Sequence, residues 1–266
     1  MSFDLGPWTL DSTFLAVAVF LFGLVIGSFV NVLIHRLPRG ESVVFPGSHC
    51  PACGAPVRAY DNVPVLSWLI LRGRCRDCRA PIAIRYPAIE LANGVLWFAV
   101  FFRSPAWADF ATGAFLSSAC IALLAIDAEF RILPDRITLS GIVVGVALSF
   151  FSHMRTPISA IGGAALGAGG LYLLAVLWEK LRGVEAMGMG DVKMLGMVGA
   201  LLGVPGVVLT VLLASVSGSL VGLVLVLAGR GSMQTALPFG VFLAVGAIAA
   251  FFWGPSIVEL YRSMSQ

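Results

Sequence analysis

The sequence predicts an all-α polytopic membrane protein with about eight transmembrane helices, because long apolar runs of roughly 20 residues can each cross a bilayer. Of its 266 residues, 59% are hydrophobic and only 12% are charged. Residues 12–34 and 156–178 carry no charge, and neither does the longer run 194–229. This composition excludes an ordinary soluble domain and indicates that the lipid bilayer is the main surroundings of the chain.

The individual spans follow from these runs and from the breaks between them. The run 194–229 contains Gly203 and Pro205 and is too long for one span, so we expect two spans joined by a tight turn. The full set of expected spans is 12–34, 87–102, 107–126, 137–152, 157–178, 190–203, 205–228 and 237–256. Because Asp4 and Asp11 stand where a signal peptide would be basic, we expect no cleavable signal peptide.

The basic residues predict the orientation. The segments 35–86, 127–136, 179–193 and 229–236 contain 14 of the 17 Lys and Arg residues. Since Lys and Arg are concentrated in cytoplasmic loops, these four segments are expected to be cytoplasmic and both termini to lie outside. The formal net charge of +3 is then a consequence of membrane orientation. Nothing in the sequence indicates nucleic-acid binding.

The segment 35–86 is the only sizeable polar part, and it contains a small zinc-knuckle motif. The motif is Cys50-x2-Cys53, 21 intervening residues, and Cys75-x2-Cys78. Four thiolates at this spacing can surround Zn²⁺ tetrahedrally, and Arg74, Arg76 and Arg79 would offset their charge. A pair of disulfides is the alternative, which a reducing cytoplasm disfavours. Cys120 lies inside a span and is expected only to pack.

Two aspartates at the edges of apolar runs are the candidate catalytic residues. Asp127 ends one span and Asp191 begins another, and the predicted topology places both on the cytoplasmic side. Charged groups there are costly, so a functional role is expected. The helix dipole disfavours the ionised form of Asp127 and favours that of Asp191, as a water-activating acid and base pair requires. Two unrelated interfacial residues remain the alternative.

Neighbouring residues have simpler expectations. Gly188 and Gly190 precede Asp191 and let the backbone approach another element closely. Asp135 follows Pro134 and is expected to cap the next helix rather than to catalyse. Lys193 either orients the site or marks the cytoplasmic boundary.

Taken together, these motifs resemble the type IV prepilin peptidase family, membrane aspartyl proteases of the GxGD type. The resemblance rests on Gly188-Met189-Gly190-Asp191, on Asp127 followed by Leu133-Pro134-Asp135, and on the two cysteine knuckles. Segments 27–38 (GSFVNVLIHRLP) and 85–91 (RYPAIEL) are also similar to family motifs. The similarity runs from about residue 23 to about residue 240, with the motifs in the family's order.

The resemblance implies a bifunctional enzyme of the bacterial inner membrane. It would cleave the leader of prepilins and pseudopilins at the cytoplasmic face, for type IV pili or type II secretion. It would also methylate the new N-terminus with S-adenosyl-L-methionine. The implied parts are a first span (1–34), a zinc-binding loop associated with methyl transfer (35–86) and the peptidase domain (87–266).

The methyltransferase residues are less well defined. Asn31, Arg36 and Glu90 are polar groups at or inside span ends and are the candidates. Interhelical hydrogen bonding is the alternative for them. The GxxxG spacings at Gly163, Gly199 and Gly218 predict close helix packing, including a homodimer.

Two other functions stay open at this point. An ion- or proton-coupled transporter could use the paired aspartates as carriers. A peptidase without methyltransferase activity, similar to preflagellin peptidases, is disfavoured because those lack the cysteine insert that is present here.

Overall fold

The computed structural model describes residues 12–183, 187–230 and 237–264, and the regular secondary structure of these residues consists of helices joined by loops. Its α-helices are α1 (Ser12–Arg36), α2 (Leu66–Ile70), α3 (Arg85–Arg103), α4 (Trp107–Phe130), α5 (Asp135–Ser149), α6 (Pro157–Arg182), α7 (Met189–Leu227) and α8 (Phe239–Met264). Short 3-10 turns lie at Leu37–Arg39 and Ala59–Asp61. The described ranges contain two isolated β-bridges and no strand. The all-α prediction is therefore confirmed.

Five helical segments are long and apolar enough to cross a membrane. Within the described ranges they are Thr13–Arg39, Trp107–Phe130, Pro157–Arg182, Met189–Leu227 and Phe239–Ile257. α5 is too short to count, because its 15 residues extend only about 22 Å. α3 has 19 residues and begins with polar side chains. The expected spans lie largely in helices, but 190–203 and 205–228 share α7, and 87–102 and 137–152 are not among the five segments. Several apolar helices make this a multi-pass membrane protein.

The run expected to form two spans is continuous except at one residue. Gly203 lies inside α7 with φ 73° and ψ −175°, and Pro205 follows it. Proline lacks a backbone N–H, so this part of the helix cannot complete its hydrogen-bond ladder. Arg155 Nη1 donates a 2.9 Å hydrogen bond to the carbonyl of Ala200 beside this break. The expected tight turn is therefore a kink in α7.

The chain divides into two compact units, Met1–Phe102 and Arg103–Gln266. In the first unit, α1 and α3 lie almost backbone to backbone. A Cβ atom built on Gly27 would lie 2.7 Å from Cα of Glu90, and one on Gly23 would lie 2.9 Å from Cα of Gly94. Only glycine permits this approach. Nδ2 of Asn93 donates a 2.7 Å hydrogen bond to the carbonyl of Gly23 across the same contact.

In the second unit, α7 packs closely on α6 through their glycines. A Cβ atom on Gly163 would overlap the backbone of Gly199, and the reverse substitution would overlap Gly163. The expected close helix packing is confirmed at these GxxxG positions. Self-association stays a prediction, because these contacts join two helices of one chain. The first half of α7, including Met194, Met197 and Leu201, is buried among its neighbours.

Candidate active site

Asp127 lies in the last turn of α4 and is held by the N-terminus of α8. Its side chain is only 6% exposed. The backbone N–H of Val241 donates a 3.1 Å hydrogen bond to Oδ2, and the backbone of Gly240 also hydrogen-bonds to this carboxylate. Backbone N–H groups at the start of a helix form a favourable anion site. The carboxylate is therefore fixed in position and stabilised by a helix distant in sequence.

Asp191 lies in the first turn of α7, three residues after the N-cap Gly188. It is partly buried and close enough to Asp127 for the two carboxylates to interact electrostatically. The structure thus brings together the two aspartates that the sequence singled out. Two interacting carboxylates resist ionising together and can share one proton.

Leu133 lies between the helix ends that carry the aspartates. A Cβ atom built on Gly190 would lie 3.0 Å from Cβ of Leu133, and one built on Gly240 would lie 3.1 Å from its Cδ1. The same atom on Gly240 would lie 2.8 Å from Oδ2 of Asp127. Gly190 and Gly240 thus leave the space that Leu133 and Asp127 occupy. By contrast, a Cβ on Gly188 would meet nothing closer than 3.9 Å among the described atoms.

The sequence predicts Asp135 as the N-cap of α5, but the residue before it occupies that position. Pro134 is the N-cap of α5, with φ −61° and ψ 127°, and Asp135 is the first helical residue without a capping hydrogen bond. Both carboxylate oxygens of Asp135 instead accept from Nζ of Lys193, each at 2.8 Å. The N-cap prediction is wrong because the partner of Asp135 comes from α7.

Two interacting carboxylates are a chemical arrangement suited to activating water. A protonated carboxyl and an ionised carboxylate on either side of a water supply a general acid and a general base. The assignment of the proton to Asp127 stays a prediction. The dipole of α4 disfavours the ionised form of Asp127, but the N-terminus of α8 places an opposing positive end against the same carboxylate.

The four cysteines form a compact cluster in the first unit. The thiol sulfurs of Cys50, Cys53, Cys75 and Cys78 all lie within 4.8 Å of one another. The Cys50 and Cys78 sulfurs are 3.8 Å apart. Tetrahedral zinc with Zn–S bonds of about 2.3 Å requires sulfur separations of about 3.8 Å. The donor set therefore fits a zinc ion, and the sulfurs that lie farthest apart would have to approach by at most about 1 Å.

The two knuckles are the same turn used twice. Cys50 N–H donates to the carbonyl of Ala55 at 2.9 Å, and Cys75 N–H donates to that of Ala80 at 2.8 Å. Each turn needs a left-handed residue at its fifth position, which is Gly54 (φ 71°) in one and Arg79 (φ 61°) in the other. Backbone N–H groups of Cys53 and Ala52 lower the pKa of the Cys50 thiol to about 7.

One of the three arginines expected to offset the thiolate charge, Arg76, pairs with a carboxylate in the same loop. Nε of Arg76 donates a 2.7 Å hydrogen bond to Oδ2 of Asp61, and this contact holds the pKa of the Asp61 carboxyl below its usual range. The ion pair of Arg76 with Asp61 thus connects the second knuckle to the 3-10 turn Ala59–Asp61. Arg76 contributes to the shape of the loop as well as to its charge.

The methyltransferase candidates all make internal contacts within the first unit. Asn31 Nδ2 donates to the carbonyl of Tyr86 at 3.0 Å. Arg36 donates to the carbonyls of Ser42 at 2.8 Å and Pro46 at 2.6 Å, so its guanidinium orders the segment after α1. Glu90 Oε2 accepts a 2.7 Å hydrogen bond from the N–H of Val65. These contacts agree with the hydrogen-bonding alternative, and the methyltransferase roles stay predictions.

Val65 itself is a backbone outlier. Its φ of 61° and ψ of −51° are rare for a β-branched residue, and it is the N-cap of α2. Backbone strain of this kind persists only where surrounding contacts enforce it, and Glu90 supplies such a contact. No pattern in the sequence predicts α2 or this strain.

The sequence reasoning also missed a buried polar cluster at the other end of α4. Asp109 lies 18 residues before Asp127, about 27 Å along the helix. It accepts hydrogen bonds from the Ser152 hydroxyl and from the His153 N–H. Arg155 Nη2 donates to Thr112 Oγ1 at 2.7 Å. The cluster borders a cavity of about 290 Å³, and a charged residue inside an expected span was its only signal.

The fold and the site together define a class of protein. It is a helical membrane protein with paired aspartates at helix ends and a loop that carries four thiols. The family model for the bacterial peptidase A24 N-terminal domain matches residues 21–104. The model for the type IV leader peptidase family matches residues 114–223. The chain belongs to the type IV leader peptidase family.

Similar proteins cover nearly the whole chain. A prepilin leader peptidase/N-methyltransferase of Burkholderia pseudomallei (strain K96243) is 41% identical, over 90% of this chain and 85% of its own length. The proteins of the same name from Aeromonas hydrophila and Pseudomonas putida are 37% and 36% identical, each over at least 94% of both chains. No solved structure is significantly similar to this chain.

Proposed function

We propose that this protein removes the leader peptide of prepilins and pseudopilins and then methylates the new N-terminal residue. The observation that carries the proposal is the electrostatic proximity of Asp127, at the end of α4, to Asp191, at the start of α7. Their helices lie largely within the part of the chain that matches the type IV leader peptidase family. The relatives that cover most of the chain carry the names of both activities.

The cleavage needs no covalent intermediate. The water molecule attacks the peptide carbonyl while the ionised carboxylate of the pair accepts a proton from it. The protonated carboxyl donates its proton to the leaving amine. The position of the Asp127 carboxylate is fixed, because the backbone N–H of Val241 in α8 donates a hydrogen bond to one of its oxygens. Asp191 is the partner carboxylate, and the pair rather than either residue sets the acidity.

The charge distribution supports cleavage on the cytoplasmic face of the bacterial inner membrane. The segments that contain the two aspartates belong to the side that carries 14 of the 17 basic residues. A substrate with a short polar leader and a following apolar helix would place that helix in the bilayer and its leader in the cytoplasm. Its peptide bond would then reach the depth at which α4 ends and α7 begins.

Methyl transfer belongs to the first unit in this proposal. S-adenosyl-L-methionine would supply the methyl group, and the four-cysteine loop would hold a structural Zn²⁺ ion. Asn31 and Glu90 join α1, the cysteine loop and α3 through their hydrogen bonds, so they would keep this unit in shape. The N-terminal family match over residues 21–104 covers the same segment.

A transporter that uses the aspartates as carriers is not supported. The relatives named above are peptidases with methyltransferase activity, and their similarity covers both the cysteine loop and the aspartates.

Mass spectrometry of a prepilin incubated with the purified protein tests both activities. The protein alone should release the leader, and addition of S-adenosyl-L-methionine should add one methyl group to the shortened product. An intact prepilin after incubation with folded protein would contradict the proposal. Cleavage without methylation would restrict it to the peptidase.

A further inference from the structure

The first turn of α7, which carries Asp191, has little internal support. Its N-cap is Gly188, which makes no side-chain capping hydrogen bond, and Gly190 is its second residue. Glycine at the start of a helix leaves the backbone with many alternative conformations, and a missing cap leaves N–H groups unpaired. Contacts from elsewhere must therefore fix the direction of this turn.

Two contacts from one short segment do so. Leu133 packs against the backbone at Gly190, where a Cβ atom would lie 3.0 Å from its own Cβ. Two residues later, Asp135 binds Nζ of Lys193 through both carboxylate oxygens at 2.8 Å. The apolar contact restrains the turn on one side, and the ion pair restrains it half a turn beyond Asp191.

The same segment is anchored at the other aspartate. The N–H of Arg131 donates to the carbonyl of Asp127 at 3.0 Å and closes the last turn of α4. Leu133, Pro134 and Asp135 follow within four residues. The chain from Asp127 to Asp135 therefore links the end of α4, by covalent connection, to the start of α7, by the contacts of Leu133 and Asp135. The separation of these two helix ends decides whether the carboxylates can share a water.

We propose that the Asp135–Lys193 ion pair is a positioning pair, which fixes the first turn of α7 so that Asp191 faces Asp127. The proposal rests on the proposed peptidase function. Neither residue touches the reacting atoms. Lys193 acts through the helix that carries Asp191, and Asp135 acts through the segment that follows Asp127.

The exposure of the pair predicts a distinctive result. The side chains are 32% and 55% exposed, and ion pairs of this kind contribute little to the stability of a fold. A displacement of about 1 Å at a catalytic group can nevertheless cost about 100-fold in rate. Loss of the pair should therefore lower the turnover number much more than it lowers the melting temperature.

A double-mutant cycle with Lys193→Met and Asp135→Asn tests this. Each single variant should lower kcat for prepilin cleavage by about 10- to 100-fold with KM within about threefold of the unaltered protein. The double variant should lose no more than either single variant, because one interaction is removed in all three. Lys193→Arg should recover most of kcat, since it keeps a cation opposite Asp135. Lys180→Met, at an exposed lysine in the last turn of α6, is the matched control.

Three kinetic outcomes would overturn the proposal. They are single variants with more than half of the normal kcat, losses that multiply in the double variant, and a Lys193→Arg variant as impaired as Lys193→Met. A fall in kcat that follows a fall in melting temperature would also overturn it, because that indicates a purely structural role.

Hydrogen exchange separates this proposal from the proposed function, because it needs no substrate. In Lys193→Met the backbone amides of 187–195 and 131–136 should exchange faster, while α6 and the cysteine loop stay unchanged. Unchanged exchange in both segments would contradict the positioning role even if the enzyme cleaves prepilin. Faster exchange in these segments, in a protein that does not cleave prepilin, would support the positioning role of the ion pair and refute the proposed peptidase function.

Discussion

Val241 and Asp127 are joined by a 3.1 Å hydrogen bond from the backbone N–H of one to Oδ2 of the other. The bond connects the end of α4 to the beginning of α8, 114 residues further along the chain. It places the positive end of a helix against a carboxylate that its own helix disfavours. The candidate active site is therefore made by three helix ends, those of α4, α7 and α8.

The contact at α8 predicts the effect of a single methyl group at Gly240. A Cβ atom there would lie 2.8 Å from Oδ2 of Asp127 and 3.1 Å from Leu133, so both side chains must move. We expect Gly240→Ala to lower kcat for leader cleavage by about tenfold or more, because the carboxylate leaves its position. Gly162→Ala is the control, since its Cβ would lie 4.0 Å from the nearest neighbouring atom, Cγ2 of Val204. Equal kcat in the two variants would refute the placement of Asp127.

The cysteine cluster predicts bound metal. The purified protein should contain about one zinc ion per chain, and Cys53→Ser or Cys78→Ser should lose it, because each removes one of four thiolates. Elemental analysis measures the zinc content directly. Cys120→Ala should keep the metal, as Cys120 lies buried in α4 outside the cluster. A zinc-free protein after purification without chelators would contradict the metal assignment.

The contact between α6 and α7 predicts unequal effects of two glycine substitutions in α6. Gly163→Ala would place Cβ 2.8 Å from the backbone of Gly203, which cannot move without shifting α7. We expect a loss of about 1–3 kcal/mol in the free energy of unfolding. Gly169→Ala meets no atom within 4 Å and should be neutral or stabilising by up to about 1 kcal/mol. Thermal unfolding in detergent compares them. Equal melting temperatures would contradict the packing of α6 on α7.

The hydrogen bond from Val65 to Glu90 predicts a separation of the two activities. Glu90→Ala leaves a part-buried N–H unpaired at a strained residue, which costs about 1–3 kcal/mol. We expect the ratio of methylated to merely cleaved product to fall, because the proposed function assigns methyl transfer to the first unit. Glu41→Ala, at an exposed residue of the same unit, should leave this ratio unchanged. A Glu90→Ala variant that methylates all of its cleaved product would contradict the expectation.

The features that the sequence predicts well are those that depend on nearby residues. Apolar runs predict the helices, and the spacing of Cys50, Cys53, Cys75 and Cys78 predicts their cluster, because both patterns are local. Gly203 and Pro205 correctly mark the interruption in α7. The spacings that begin at Gly163 and Gly199 likewise predict where α6 and α7 approach each other, whereas Gly218 makes only an ordinary contact with the side chain of Phe242.

The features that it does not predict depend on tertiary contacts. Asp135 has the local sequence of a helix cap, yet its partner is a lysine 58 residues away. The N–H groups that hold Asp127 come from α8, which no pattern around Asp127 reveals. Arg155 shows the same limit, because only the kink in α7 explains why a partly buried guanidinium contacts the carbonyl of Ala200.

The most direct test of the catalytic pair is the mass of a prepilin after incubation with Asp127→Asn and, separately, Asp191→Asn. Asparagine keeps the size of the side chain but can neither accept nor release the proton. Both variants should leave the prepilin intact, while Glu179→Gln, at an exposed residue near the end of α6, should cleave it as the unaltered protein does. Release of the leader at a near-normal rate by either aspartate variant would contradict the assignment of the pair.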